Sequence, residues 1–231
     1  MLDGISRQCD AWGYAFHPVQ VRDALFENAP VTRQYPKEMY YRLLASHLLP
    51  GDLKRVLYLD PDILVINPIR PLWAMDLQGN LFAAAAHTGK TELANNINQL
   101  RLGTENAYFN SGVLLMDLVA QRQMIHPREL FAYVQQHRKE LVLPDQDILN
   151  ALFSQRILPV EDVVWNYDAR NYSNYLLRSG GACDLTWVMS HTAILHFCGK
   201  AKPWKPRYFY RFGLLYQHYA QLTRNLWDVT D

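Results

Sequence analysis

Arg55-Val56-Leu57-Tyr58-Leu59-Asp60-Pro61-Asp62-Ile63-Leu64-Val65-Ile66 is the stretch on which the fold turns. Two runs rich in β-branched and aromatic residues flank an Asp-Pro-Asp triplet, and Pro61, Asn67 and Pro68 bound them. Short apolar runs bounded in this way read as buried strands. Outward from this centre, similar runs occur at Leu81–Ala86, Gly112–Met116 and Ala193–Phe197. Helical patterns fill the intervals over Lys37–Leu49, Thr91–Leu102, Arg128–Glu140 and Gln146–Phe153. Strands alternating with helices predict the α/β class, a sheet flanked by helices. No Gly/Ser-rich linker or repeat divides residues 1–231, so the chain reads as a single domain.

Two segments resist this pattern. Trp165–Ser190 is polar, aromatic and weakly periodic, which predicts a long functional loop. Residues 206–227 place Phe209, Phe212, Leu215, Tyr216, Tyr219, Leu222 and Leu226 at helical spacing, a C-terminal helix. Arg207, Arg211 and Arg224 give it a thin basic face, so docking on the core is favoured over a helix lying on a membrane.

Composition narrows the function classes. With 49% apolar and 19% charged residues over 231 positions, such a chain buries roughly 70% of its unfolded surface. That excludes a disordered tail or a disulfide-stapled miniprotein. A formal net charge of +1 gives no general attraction to nucleic acid, and none is expected as a partner. Cys9, Cys183 and Cys198 form neither an even set nor a Cys-x-x-Cys pair and read as reduced thiols. No 18-residue apolar run exists, and Met1-Leu2-Asp3-Gly4 does not begin a signal peptide. The expectation is a cytoplasmic protein.

The chemistry concentrates at strand ends. Ligands of open α/β sheets sit outside the carboxyl ends of strands, where Asp60 and Asp62 fall. Two carboxylates one residue apart repel unless a cation lies between them, and oxygen ligands favour Mg²⁺ or Mn²⁺. Asp-Pro-Asp is also an ordinary turn. His196 closes another apolar run, either as a hydrogen-bonded structural residue or as a ligand that tilts the choice toward Mn²⁺. Gly199, Lys200 and Lys202 follow, a glycine for close backbone approach and two cations for phosphate oxygens. Asp145-Gln146-Asp147 opens a helix; Asp145 is either its N-cap, or all three polar groups face a sugar-sized pocket. Asn110-Ser111-Gly112 sets an amide and a flexible glycine before a buried strand.

With these blocks in place the sequence resembles glycosyltransferase family 8, most nearly its bacterial galactosyl- and glucosyltransferases of lipopolysaccharide or surface-glycan synthesis. The matching blocks are RVLYLDPDILV (55–65), PLWAMDLQGN (71–80), YFNSGVLLMDL (108–118), DQDILNALF (145–153) and HFCGKAKPW (196–204), in the family's order. The resemblance implies a GT-A fold, a Rossmann-like, nucleotide-binding mixed sheet that holds a UDP-sugar with Mn²⁺, or Mg²⁺ in its place. It makes Asp60, Asp62 and His196 the metal ligands, with Asp60 also near the ribose. It places Gly199 and Lys202 at the diphosphate, Arg42 in the donor site, and Asn110, Asp145 and Gln146 around the transferred sugar. The implied reaction retains anomeric configuration while moving a hexose from UDP to a glycan, glycolipid or glycoprotein acceptor.

Retaining glycosidases use a carboxylate nucleophile, whereas here the residue expected near the anomeric carbon is the amide Gln146, with Asp147 next to it. Catalysis is therefore expected from Gln146, Asp145 and Asp147, with front-face substitution favoured over a covalent intermediate. The family's first strand, with its Ala-x-Asp-x-x-Tyr turn, and its first helix have no counterpart. On that reading the chain is a piece of a longer enzyme, a shortened enzyme, or a non-catalytic partner of an active glycosyltransferase. His87-Thr88 falls where some relatives carry an acidic acceptor residue, so the acceptor stays open. The implied location is the cytoplasm, where the C-terminal helix could touch the inner face of the membrane.

Overall fold

The computed structural model describes residues 2–33, 36–86, 97 and 99–226. The two runs of the deciding stretch become β1 (Arg55–Leu59) and β2 (Ile63–Val65), yet they belong to different sheets. The remaining strands are β3 (Phe82–Ala85), β4 (Val113–Asp117), β5 (Ile157–Val160), β6 (Tyr167–Asp168) and β7 (Ile194–His196). The first sheet has the order β1-β4-β3-β5, with β4 antiparallel to both neighbours and β3 parallel to β5. The second has the order β2-β7-β6, with β2 antiparallel and β6 parallel to β7. Both sheets are mixed, and helices flank them, but the single sheet expected from the strand runs is two.

Asp60-Pro61-Asp62 is the bridge between these sheets, and each aspartate is tied to its own. The Asp60 N–H donates to the Gly112 carbonyl at 2.8 Å, just before β4. The Phe197 N–H donates to the Asp62 carbonyl at 2.9 Å, just after β7. Register then sets Ile63 opposite His196, and His196 beside Asp168. The ends of both sheets therefore meet at one place.

Packing explains the strand assignments. Val113, Leu114, Leu115 and Met116 are all buried, as a central strand covered on both faces requires. Leu114 and Met116 face a core with Tyr40, Leu43, Leu44, Phe131 and Leu149, while Leu115 packs with Leu77 and Ala83 on the other side. The second sheet has its own core of Tyr167, Tyr175, Leu195, Phe197 and Phe212. β5 contains Pro159, which an edge strand tolerates because one face of its backbone needs no ladder partner.

Several expectations are corrected. Lys37–Leu49 is not one helix: a 3₁₀ turn at Lys37–Tyr40 leads through turns to a short helix at Ala45–Leu48. Trp165–Ser190 is not a structureless loop, since it holds β6 and helices Tyr172–Arg178 and Leu185–His191. Helices of two turns are too short to show a helical period. The C-terminal helix runs Gly213–Leu226 rather than from 206, and Phe212, Leu215 and Tyr216 dock on the second core. Residues 97 and 99–102 are helical; the rest of Thr91–Leu102, together with His87, Thr88 and Trp227, lies outside the described residues. Cys9, Cys183 and Cys198 are free thiols.

Candidate functional site

The bridge between the sheets floors a cavity of about 420 Å³. Its walls include Arg42, Asp60, Asp62, Asn110, Asp145, Gln146, His196 and Gly199, brought together from five separate parts of the sequence. A second hollow of about 690 Å³ lies around Thr104, His126 and Gln155 and contains none of these groups. The smaller cavity gathers the residues singled out in the sequence.

Ligand atoms of Asp60, Asp62 and His196 lie within 4.8 Å of one another. His196 Nε2 is 3.2 Å from Asp62 and 3.8 Å from Asp60. Its other nitrogen, Nδ1, is 2.9 Å from the Asn166 side-chain oxygen. Asn166 donates its amide to the Asn110 oxygen, which fixes the Asn166 oxygen as an acceptor and makes Nδ1 the donor. Nε2 is thereby left facing two carboxylates. A proton on Nε2 would meet that need, and so would a divalent cation, so the donor set fits Mn²⁺ or Mg²⁺.

Glycine at 112 is required by space rather than by the flexibility expected of it. A Cβ there would lie 2.3 Å from the His196 ring and 2.8 Å from Asp60. Any larger residue would push the histidine out of the cluster.

The charges are balanced from two sides. Arg42 reaches Asp60 at 3.0 Å and Asp145 at 2.9 Å, and lies over the Tyr58 ring. Tyr58 donates its hydroxyl to Asp60 at 2.7 Å, and Ser111 donates to Asp145 at 2.8 Å. Lys202 pairs with Asp62 and donates to the Phe197 carbonyl at 2.9 Å. Burial alone would raise the Asp62 carboxyl, but hydrogen bonds from His196 and Lys202 outweigh it and hold it well below the carboxylate range. Lys202 thus reaches the site through Asp62 rather than from the cavity wall.

The Asp145-Gln146-Asp147 trio is split by helix geometry. The helix Pro144–Phe153 has Leu143 at its N-cap position with no side-chain cap, so Asp145 is not the cap. Consecutive helical residues point about 100° apart, so three in a row cannot face one pocket. Asp145 and Gln146 face the cavity, where the Gln146 oxygen accepts from Asn110 at 3.1 Å. Asp147 points away, its side chain wholly buried. It accepts from Arg101 at 2.7 and 2.8 Å, Tyr108 at 2.5 Å, and the N–H groups of Val142 and Leu143 at 2.6 and 3.0 Å. Those bonds oppose the effect of burial and keep the Asp147 carboxyl below its ordinary value. Asn150, one turn on, clamps the Phe109 backbone through both ends of its amide.

Asn166 and Arg170 escaped the sequence reading. Both lie in the polar aromatic stretch after Trp165, and their only advance signal was two polar side chains on either side of the short run Tyr167-Asp168-Ala169.

The profile of glycosyl transferase family 8 matches residues 11–207. General stress protein A of Bacillus subtilis is 29% identical over 220 residues, covering 92% of this chain and 75% of that protein. A lipopolysaccharide 1,2-glucosyltransferase of Escherichia coli is 26% identical over 184 residues, covering 76% of this chain. The chain spans about half the length of that enzyme, 52%. Among solved structures, the galactosyltransferase LgtC in complex with donor and acceptor sugar analogs superposes with a TM-score of 0.72 at 25% identity. The match covers 95% of this chain and 79% of LgtC.

Proposed function

The chain belongs to glycosyl transferase family 8 and is a hexosyltransferase by class, and from that premise we propose that it moves a hexose from a UDP-sugar to an acceptor hydroxyl with retention of configuration. The acceptor class is a surface glycan, glycolipid or glycoprotein, and the metal is Mn²⁺ with Mg²⁺ as its substitute. The convergence of Asp60, Asp62 and His196 at the floor of the cavity walled by Asn110, Asp145 and Gln146 carries this reading.

A divalent ion held by Asp60, Asp62 and His196 would neutralise the diphosphate and so stabilise the leaving group. The chain's own residues do the rest. Asn166 holds His196 so that Nε2 faces the carboxylates. Arg42 orients Asp60 and Asp145 together, which links donor phosphate binding to the sugar wall. The Asn110 and Gln146 amides, bonded to one another, present donors and an acceptor to sugar hydroxyls. Gly199 lies at the cavity wall where the diphosphate would sit, and Lys202 adds positive charge through its pair with Asp62.

The groups available support front-face substitution. Gln146 is an amide, Asp145 is engaged by Arg42 and Ser111, and Asp147 is sealed in by five hydrogen bonds. Among the described residues, the carboxylates near the proposed sugar site are thus already engaged, which favours a step in which the departing diphosphate oxygen takes the acceptor proton as the new bond forms on the same face. A covalent glycosyl adduct trapped on Asp147 of the unaltered protein would overturn that step.

The proposed location is the cytoplasm, at the inner membrane face. Phe209 and Leu214 are 87% and 83% exposed beside Lys205, Arg207 and Arg211, a surface suited to peripheral contact with anionic lipid. No helix among the described residues is long and apolar enough to cross a membrane.

Calorimetry of UDP with Mn²⁺ and then with a chelator tests the reading. Metal-dependent binding is expected, followed by transfer from UDP-glucose or UDP-galactose. A folded protein that ignores UDP in the presence of Mn²⁺ would refute it.

A further inference from the structure

We propose that Arg170 is a binding residue for the donor's diphosphate, its guanidinium fixed in place by the buried carboxylate of Asp168; the proposal rests on the donor reading above. Asp168 ends β6 beside His196 in register and is 1% exposed. Its carboxylate accepts from Arg170 Nε at 2.9 Å and Nη2 at 2.7 Å, from the Arg170 backbone N–H at 3.0 Å, and from Asn171 at 2.8 Å. A bidentate pair of this kind locks the plane of the guanidinium. The clamp leaves Nη1 pointing the other way, toward Gly199.

The chain has made room for it there. A Cβ at Gly199 would lie 2.3 Å from Arg170 Nη1, and Gly199 has φ +83°, where only glycine is at ease. Arg170, Cys198 and Gly199 all line the cavity that contains Asp60, Asp62 and His196. Cys198 is half-buried between two ion pairs, Asp168–Arg170 and Asp62–Lys202, and burial first, then the Asp168 charge, pushes its thiol up.

The division of labour among the cations identifies the ligand. Arg42 is committed to Asp60 and Asp145, and Lys202 to Asp62. Arg170 alone among these three is anchored by a carboxylate outside the metal-ligating and sugar-facing set, so it can serve a ligand without giving up a site partner. An anion that spans the Asp60–Asp62–His196 cluster and this guanidinium needs two adjacent negative groups, which a nucleoside diphosphate supplies. A donor already held in position needs little ordering when that anion arrives and stabilises the charge that grows on the leaving group.

The test is calorimetry of UDP and of inorganic pyrophosphate, each with saturating Mn²⁺, on the unaltered chain and on Arg170→Gln, Arg170→Lys and Gly199→Ala. Mn²⁺ alone and thermal unfolding are measured in parallel. Arg170→Gln keeps an amide for Asp168 and should weaken both ligands about 10- to 100-fold, the range for a hydrogen bond to a charged group. Its affinity for Mn²⁺ alone should stay within about twofold, because Arg170 touches no metal ligand. Gly199→Ala should reproduce the loss by displacing the guanidinium, and Arg170→Lys should recover part of it. Unchanged UDP and pyrophosphate affinities would overturn the proposal, as would a parallel loss of Mn²⁺ affinity, which would mark a merely structural role. If Arg170→Gln does not fold, Gly199→Ala and Arg170→Lys decide by the same criteria. Arg170-dependent pyrophosphate binding by a chain that ignores UDP would uphold Arg170 and refute the nucleotide donor. Binding of neither would sink both.

Discussion

Asp62 and Asp147 are both carboxylates held by a basic side chain, yet their surroundings are opposite in kind. Asp147 is wholly enclosed and has donors on both oxygens from a side-chain cation, a phenol and two backbone amides. Asp62 keeps 13% of its side chain exposed at a cavity wall and faces an imidazole whose other nitrogen is already spoken for. A carboxylate with every lone pair used is scaffold. A carboxylate at a cavity wall whose partners could give way to a metal ion, as proposed for Asp62, is a candidate site. The difference lies in how complete the hydrogen bonding is, since both groups carry the same charge and both are drawn below their ordinary pKa.

The contrast can be broken most forcefully at Asp62. Asp62→Asn removes a ligand charge and should abolish Mn²⁺-dependent UDP binding while the unfolding temperature holds, read by calorimetry beside thermal melts; retained metal-dependent binding would make Asp62 scaffold too. Asp147→Ala should do the converse. Stranding Arg101 and Tyr108 should cost about 3–5 kcal/mol of stability in denaturant melts, with UDP affinity of the folded protein unaltered. Weakened UDP binding by a fully folded variant would move Asp147 into the site. Lys202→Ala tests the intermediate case and should weaken UDP by about 1.5–3 kcal/mol. It should not weaken Mn²⁺ alone, because the ammonium competes for Asp62.

The smallest effect sharpens the contrast through pH. The folded-state pKa of Asp147 lies below its ordinary 3.8, so the carboxylate contributes stability above that value and loses it as pH falls through the depressed one. Asp147→Asn should therefore flatten the acid limb of the stability curve below about pH 4. An acid limb identical to that of the unaltered chain would show that Asp147 does not titrate in that window.

The same pair explains what was legible. Asp60-Pro61-Asp62 stood out because two carboxylates at a strand end need a cation, and that reasoning uses only neighbours in sequence. Asp147 sat in an equally promising block and was grouped with Asp145 and Gln146. Its true partner, Arg101, is 46 residues away, and only the phase of the helix Pro144–Phe153 turns it from the cavity. Asn166 and Arg170 were missed for a related reason. Their roles are set by pairing to His196 and Gly199, some 30 residues on, and polar residues among aromatics give no local sign of it.

Residue order by itself determined the α/β class, the strands β1 to β4 and β7 to within a residue or two, and the groups with chemistry to offer. Apolar period and charge repulsion act over a few residues and are written in the chain. The tertiary structure alone decided that the two strands flanking Asp60-Pro61-Asp62 part into different sheets, so that both sheet ends and His196 meet at one cavity. It also decided which carboxylate is sealed in and which stays at the cavity wall. Those outcomes depend on backbone pairing and buried hydrogen bonds across tens to more than a hundred residues, and no local pattern encodes such distances.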